Sequence, residues 1–180
     1  MNEKVNFGST KVLKTKKTKL VSDIFSSVSN KYDLMNDAMS LGLHRLWKER
    51  MYVVSKLKKS DNVLDLATGT GDIALKFLSK RKLIRITCLD ENQEMLDICK
   101  DRLVDNGFVK DVIFIKSSAE NAKLEENQYT LATIAFGFRN FTDHSKALKN
   151  IYNSLMPGGR LVIMEFSTPK NRLVKNVFEK

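Results

Sequence analysis

The stretch NVLDLATGTGDIALKFL, residues 62–78, decides the fold of this 180-residue chain. A short apolar run, Val63, Leu64 and Leu66, breaks into Thr68-Gly69-Thr70-Gly71, and a segment bearing Ile73, Ala74, Phe77 and Leu78 follows at once. That is the pattern of a strand, a tight turn and an amphipathic helix. Glycine suits such a turn because a chain passing so abruptly from strand to helix needs backbone angles that a Cβ forbids. Bare backbone also lets a ligand approach the helix N-terminus. Gly69-x-Gly71-x-x-Ala74 satisfies the relaxed dinucleotide fingerprint G-x-G-x-x-G/A, which alone is a weak signal. Asp65 and Asp72 bracket the turn. A pyrophosphate there would face two carboxylates in a cleft of low effective dielectric, whereas a cation would be attracted.

The pattern Asp65-x-Ala67-x-Gly69-x-Gly71 resembles the first motif of the Rossmann-like S-adenosylmethionine-dependent methyltransferases, with Ala67 where many members carry a third glycine. On that reading Gly69, Thr70 and Gly71 hold the cofactor. A second strand, residues 85–89, ends at Asp90, 19 positions beyond Gly71. An acid about 20 residues on is placed to accept both ribose hydroxyls of an adenosine. Capping of the helix over residues 92–106 is the simpler alternative for Asp90, and the agreement of loop and acid favours the ligand.

Composition bounds the rest. With 42% hydrophobic and 29% charged residues, the chain is an ordinary single globular domain. No run reaches the roughly 18 apolar residues of a membrane span, and the lysine-rich start is no secretory signal, so a cytoplasmic protein is expected. Cys88 and Cys99 lack the company of a zinc site and read as buried thiols; no metal site is apparent. Residues 1–60 hold 13 Lys and Arg against 5 Asp and Glu, leaving 18 against 16 for the remainder. Lys11, Lys14, Lys16, Lys17 and Lys19 read first as a solvated, disordered arm. Attraction to an anionic membrane surface, peripheral at its inner face, comes second. Nucleic acid comes last, because no aromatic residues interleave the lysines.

Val21, Ile24, Phe25 and Val28 share one face of a short helix, and Leu43, Leu46, Trp47, Met51, Val54 and Leu57 keep helical spacing to Lys58,. Between and within them lie Tyr32-Asp-x-Met-Asn-x-x-Met-Ser40 and His44-Arg-Leu-Trp47-Lys. This block resembles the N-terminal signature of the ubiquinone/menaquinone-biosynthesis C-methyltransferase family. Strands are expected at residues 112–115, 130–136 and 160–166, with a helix from Asp143 whose face is Leu148, Ile151, Tyr152, Leu155 and Met156. Pro157-Gly158-Gly159 should stop that helix, His144 in its first turn should be solvated, and a last helix should start near Arg172. Phe136-Gly137-x-Arg139-Asn140 matches a family motif at the rim of the fourth strand.

The resemblance implies an α/β fold of the Rossmann-like class I methyltransferase type. It would be a three-layer sandwich around a parallel sheet ordered 3-2-1-4-5. A basic arm (1–20) and N-terminal helices over the cleft (21–58) would precede the cofactor domain (59–180). Two further strands usual in this class would be missing, leaving residues 160–166 as an exposed edge. It further implies S-adenosyl-L-methionine as cofactor, Ser118 and Ala119 against its adenine, and a polyprenyl quinol as substrate, demethylmenaquinol before a ubiquinone precursor. Tyr32, Asp33, Asn36 and His44 are second-rank candidates for the quinol pocket. Arg139 is the candidate charged group at the reacting end, stabilising a phenolate or orienting a water, since a guanidinium with a pKa above about 12 is no base. A structural ion pair between Arg139 and Asp143 is an equal alternative. A nicotinamide-dependent oxidoreductase and a non-catalytic binding module stay open as other classes.

Overall fold

The computed structural model describes residues 4–7, 10–13, 43–80 and 83–166. The helix expected over 21–30, the quinol-pocket candidates Tyr32, Asp33 and Asn36, and the helix expected from Arg172 lie outside them. The chain gives β1 (Lys4–Phe7), β2 (Thr10–Leu13), α1 (Leu43–Ser55), β3 (Asn62–Leu66), α2 (Asp72–Lys80), β4 (Arg85–Asp90), α3 (Gln93–Asp105), β5 (Val112–Lys116), β6 (Tyr129–Ala135), α4 (His144–Ser154) and β7 (Leu155–Met164). Five strands form one parallel sheet in the order β5-β4-β3-β6-β7, which is 3-2-1-4-5 counted from the strand before the glycine turn.

The central strands are buried on both faces, as parallel sheets require. Side chains alternate across β3: Val63 faces a core with Ile73, Phe77, Leu96 and Leu103, while Leu64 and Leu66 face one with Ala147 and Ile151,. Those two cores separate three layers. Ion pairs Lys48–Asp72 and Glu49–Lys76, with the Tyr52 and Phe77 rings 6.2 Å apart edge-on, fasten α1 to α2. Cys88 and Cys99 are buried free thiols, and among the described residues no helix is long and apolar enough to cross a membrane.

Three expectations are corrected. Within the stretch expected as a disordered arm, β1 and β2 pair antiparallel with Val5 opposite Val12. Lys4-Val5 and Lys11-Val12 alternate with the period of a strand, which a charge count does not register. Helix α1 ends at Ser55, because Lys56 turns left-handed at φ +45°. Helix α4 stops at Ser154 and buries Ala147, Ile151 and Ser154, whereas Leu148 and Tyr152 are exposed. The lead-in to β6 captures its last carbonyls, with Asn127 N donating to Asn153 O at 3.0 Å and Gln128 N to Ser154 O at 2.9 Å. Leu155 is therefore already extended opposite Tyr129, and Pro157-Gly158-Gly159 makes an irregularity inside β7. Gly158 takes φ +78°, and a Cβ on Gly159 would meet the Met156 carbonyl at 2.8 Å.

Candidate active site

Every strand of a parallel sheet presents its carboxyl end to the same rim, and the loops there form the natural site. A cleft open to solvent lies over the ends of β3, β4, β5 and β6. Its walls come from Ala67 and Gly69 after β3, Asp90, Glu91 and Asn92 after β4, Ser118, Ala119 and Glu120 after β5, and Phe136, Gly137 and Asn140 after β6. Met95, Leu89 and Phe141 supply apolar wall. The backbone is bent sharply where two strands end: Ala67 holds φ +49° and Phe136 φ +59°. A Cβ on Gly137 would collide with that of Ala67, so the two strand ends touch at the cleft and only glycine fits opposite Ala67.

Asp90 joins two walls. Its Oδ2 accepts from Gly69 N at 2.8 Å and its Oδ1 from Asn92 N at 2.9 Å. Burial raises its pKa, and the backbone N–H groups of Asn92 and Gly69 counter this in part. The helix cap considered for Asp90 belongs to Asn92, whose side chain accepts from Met95 N at 3.1 Å. Glu91 is also raised, by burial and then by Glu120 and Asp90. Glu120 Oε1 accepts from Thr142 N at 2.8 Å and Asp143 N at 3.1 Å. Among the described residues the cleft wall thus carries three carboxylates and no Lys, Arg or His.

Asp65 and Asp72, expected to bracket the ligand, are not on the cleft wall. Asp65 is 1% exposed and accepts from Thr68 Oγ1 at 2.6 Å and Thr133 Oγ1 at 2.7 Å. Burial pushes its carboxyl up to about 6, the two hydroxyls hold it back in part, and the charges of Asp90 and Asp72 add to the rise. Asp72 is also largely buried, yet Lys48 and Arg102 overcome that penalty and hold it below the usual carboxylate value. Its charge is spent on a junction of α1, α2 and α3. The negative field of the cleft comes instead from Asp90, Glu91 and Glu120, and it still opposes a pyrophosphate and favours a cation.

Of the residues expected to hold the cofactor, Gly69, Asp90, Ser118 and Ala119 are brought together on the cleft wall. Thr70 and Gly71 shape the loop from behind: Arg102 Nη1 donates to Thr70 O and to Thr70 Oγ1, both at 3.0 Å, and a Cβ on Gly71 would strike the Cys99 sulfur. Arg139, in a single helical turn (Phe138–Asn140), sits just outside the cleft and pairs with Glu165 beyond the end of β7. Its guanidinium carbon lies 5.6 Å from the centre of the Phe166 ring. Phe166 stacks on Phe136 at 4.7 Å, and Trp47 of α1 meets both rings, at 5.4 and 5.7 Å. Phe136 is therefore a wall shared by the cleft and by an aromatic surface next to it. Asp143 caps α4 by accepting from Lys146 N at 3.0 Å. His144 is not merely solvated: its Nε2 lies 3.0 Å from the Phe138 carbonyl and its ring packs on Phe138 at 4.7 Å.

The sequence pattern of the ubiE/COQ5 methyltransferase family matches residues 11–180. The chain belongs to that family. It is 42% identical over 176 residues to the ubiquinone/menaquinone biosynthesis C-methyltransferase UbiE of Wigglesworthia glossinidia brevipalpis, covering 97% of this chain and 70% of that protein. It is equally identical over 179 residues to the UbiE of Francisella tularensis subsp. novicida, covering 99% and 72%. Among solved structures, a SAM-dependent methyltransferase of Aquifex aeolicus superposes with a TM-score of 0.61 at 24% identity, over 69% of this chain and 66% of that one. The [4+2]-cyclase SpnF superposes at 0.73 and 20% identity, over 86% and 62%. A cyclase on the same framework shows that the framework alone does not name a reaction. Family and fold together are those of enzymes that use S-adenosyl-L-methionine.

In this ubiE/COQ5 member Glu91, Glu120, Glu165 and Phe166 reach the site with no motif of their own in the sequence. Glu91 and Glu120 each adjoin a residue that was found, Asp90 and Ala119, and a loop carries its neighbours to the same wall. Glu165 and Phe166 follow the fifth strand of the sheet, and only the adjacency of β6 and β7 brings them to Arg139.

Proposed function

We propose that this chain transfers a methyl group from S-adenosyl-L-methionine to a ring carbon of a polyprenylated quinol, with demethylmenaquinol as first substrate and a ubiquinone precursor as second. The observation that carries the reading is the pair of adjoining surfaces on the sheet rim. One is a carboxylate-walled cleft, the other an aromatic surface bearing Arg139, and Phe136 separates them. That pairing fits a cationic donor beside an aromatic acceptor.

The residues present suit the cofactor. Asp90 accepts one backbone N–H on each oxygen, which leaves lone pairs for two ribose hydroxyls. Ser118 offers a hydroxyl and Ala119 a flat apolar contact for the adenine, and the close approach of Gly137 to Ala67 leaves bare backbone at the strand ends. Glu91 and Glu120 complement positive charge. When bound, the cofactor supplies an electrophilic methyl group on a cationic sulfur. The protein's part is placement: holding the acceptor carbon at about 3 to 3.5 Å from that methyl supplies much of the rate. A quinol carbon becomes nucleophilic when the neighbouring hydroxyl passes its proton to water, and Arg139, fixed over Phe166, stabilises the resulting oxyanion; after methylation the ring carbon releases its own hydrogen as a proton to solvent and the ring regains its aromaticity. The match of residues 11–180 to a methyltransferase family disfavours the oxidoreductase reading.

Methyl transfer from labelled cofactor to demethylmenaquinol and to a demethoxyubiquinol-type precursor tests the assignment. Transfer to the first at the higher kcat/KM is expected. Binding of the cofactor with transfer to neither quinol would refute it.

A further inference from the structure

The end of β7 is drawn into the site by a residue that has no place on the cofactor wall. Glu165 gathers three hydrogen bonds: its Oε2 accepts from Arg139 N at 3.1 Å, and its Oε1 accepts from Phe166 N at 2.9 Å and from the Arg139 guanidinium. Its side chain is only 18% exposed, against 49% for Arg139. The same carboxylate therefore sets where the turn carrying Arg139 begins, where Phe166 sits, and which way the guanidinium points between them.

We propose that Glu165 is a positioning residue for the acceptor: it holds the Arg139 guanidinium against the Phe166 ring, on the aromatic surface formed with Phe136 and Trp47, so that a hydroxylated aromatic ring meets a cation of fixed orientation. The proposal rests on the acceptor reading given above for Arg139. Glu165 is not the base that takes the hydroxyl proton. Three donors, from Arg139 and Phe166, occupy most of its lone-pair capacity,. Its charge instead tempers that of Arg139, which sets how far the bound hydroxyl is acidified. Orientation of a first contact by a hydrogen-bonded partner is commonly worth about 10- to 100-fold where it has been measured at metal ligands, and a similar scale is expected here.

Trp47 is the sole tryptophan of the chain and lies 5.4 Å from Phe166 and 5.7 Å from Phe136, so its emission reports on a ring arriving at this surface. The wild type, Glu165→Gln and Glu165→Ala are titrated with a tailless naphthoquinol by Trp47 fluorescence and with S-adenosyl-L-methionine by calorimetry, and kcat is followed against pH. Glu165→Ala is expected to lose about 10- to 100-fold in kcat and to quench Trp47 more weakly with quinol, with cofactor affinity unchanged. Glu165→Gln keeps an acceptor but removes the charge, so Arg139 acidifies the bound hydroxyl further and the acid limb of the kcat profile moves down by about one pH unit. Equal losses of cofactor and quinol binding would show a role in folding alone and overturn the proposal. So would an acid limb and a quinol titration that Glu165→Gln leaves where they were. If the wild type binds cofactor but methylates no quinol, the quinol reading fails, and the Trp47 titrations of the three proteins still decide whether Glu165 orients a site for aromatic rings.

Discussion

Asp65→Asn offers a quantitative test of the buried carboxylate beneath the glycine turn. Asp65 is 1% exposed with its oxygens bonded to Thr68 and Thr133, and burial sets its carboxyl at about 6 against an ordinary 3.8. A rise of about 2 units at 1.36 kcal/mol per unit makes the ionised form cost the fold about 3 kcal/mol. Because the native pKa is the higher one, the native state binds more protons than the unfolded state between those values, and stability falls as pH rises through that window. The penalty is complete by about pH 7, roughly half present at pH 5 and nearly absent at pH 3. Asparagine keeps the shape; one threonine hydroxyl still donates to its oxygen and the other can rotate to accept from its NH2,, so any misfit it introduces is independent of pH. In urea titrations followed by circular dichroism, the stability of Asp65→Asn relative to wild type should rise by about 1.5 kcal/mol between pH 5 and pH 8. A difference that stays level across that range, or grows toward acid, would refute the assignment of a buried, mostly unpaired charge.

Gly137→Ala should cost about 1–3 kcal/mol and weaken cofactor binding, because its Cβ meets that of Ala67,. Adding Ala67→Gly should restore both, since it removes the collision and relieves a φ of +49°,; a double-mutant cycle in thermal denaturation and calorimetry measures this. Asp90→Ala should lower affinity for S-adenosyl-L-methionine by an order of magnitude or more, given about 1.5–3 kcal/mol for hydrogen bonds to a charged group, as read by calorimetry. Arg160 donates to Asp61 Oδ2 at 2.8 Å and to the Ser55 carbonyl at 2.8 Å, tying β7 to the end of α1. Arg160→Ala should destabilise by about 1–3 kcal/mol, because the Asp61 carboxylate, only 6% exposed, loses its cation while Lys58 N and Thr130 Oγ1 still donate to it, and Asp61→Asn should recover part of the loss in urea titrations.

The sequence alone determined the elements whose signals are local. Gly69 and Gly71 mark the strand-to-helix turn, residues 62–66 and 130–135 are apolar enough to be central strands, and Asp90 stands at the spacing of a ribose acceptor. Ser118 and Ala119 came from the family resemblance alone, and they lie on the cleft wall because a βα loop carries its residues to the rim. Where two signals competed locally, the reading went astray: Leu155 and Met156 continue a helical face by periodicity, yet strand β6 captures the carbonyls of α4 and makes them extended. Electrostatics needed the tertiary structure most of all. Asp65 and Asp72 look like the ligand's carboxylates because they adjoin the turn, but side chains alternate across a strand, sending Asp65 under the sheet toward Thr133, and the packing of α1 and α3 supplies Lys48 and Arg102 to Asp72. Arg139 and Glu165 are 26 residues apart in the chain, and no local pattern relates them. Only the parallel pairing of β6 with β7 sets their strand ends side by side, and a contact made by sheet order is invisible to any rule that reads neighbours along the chain.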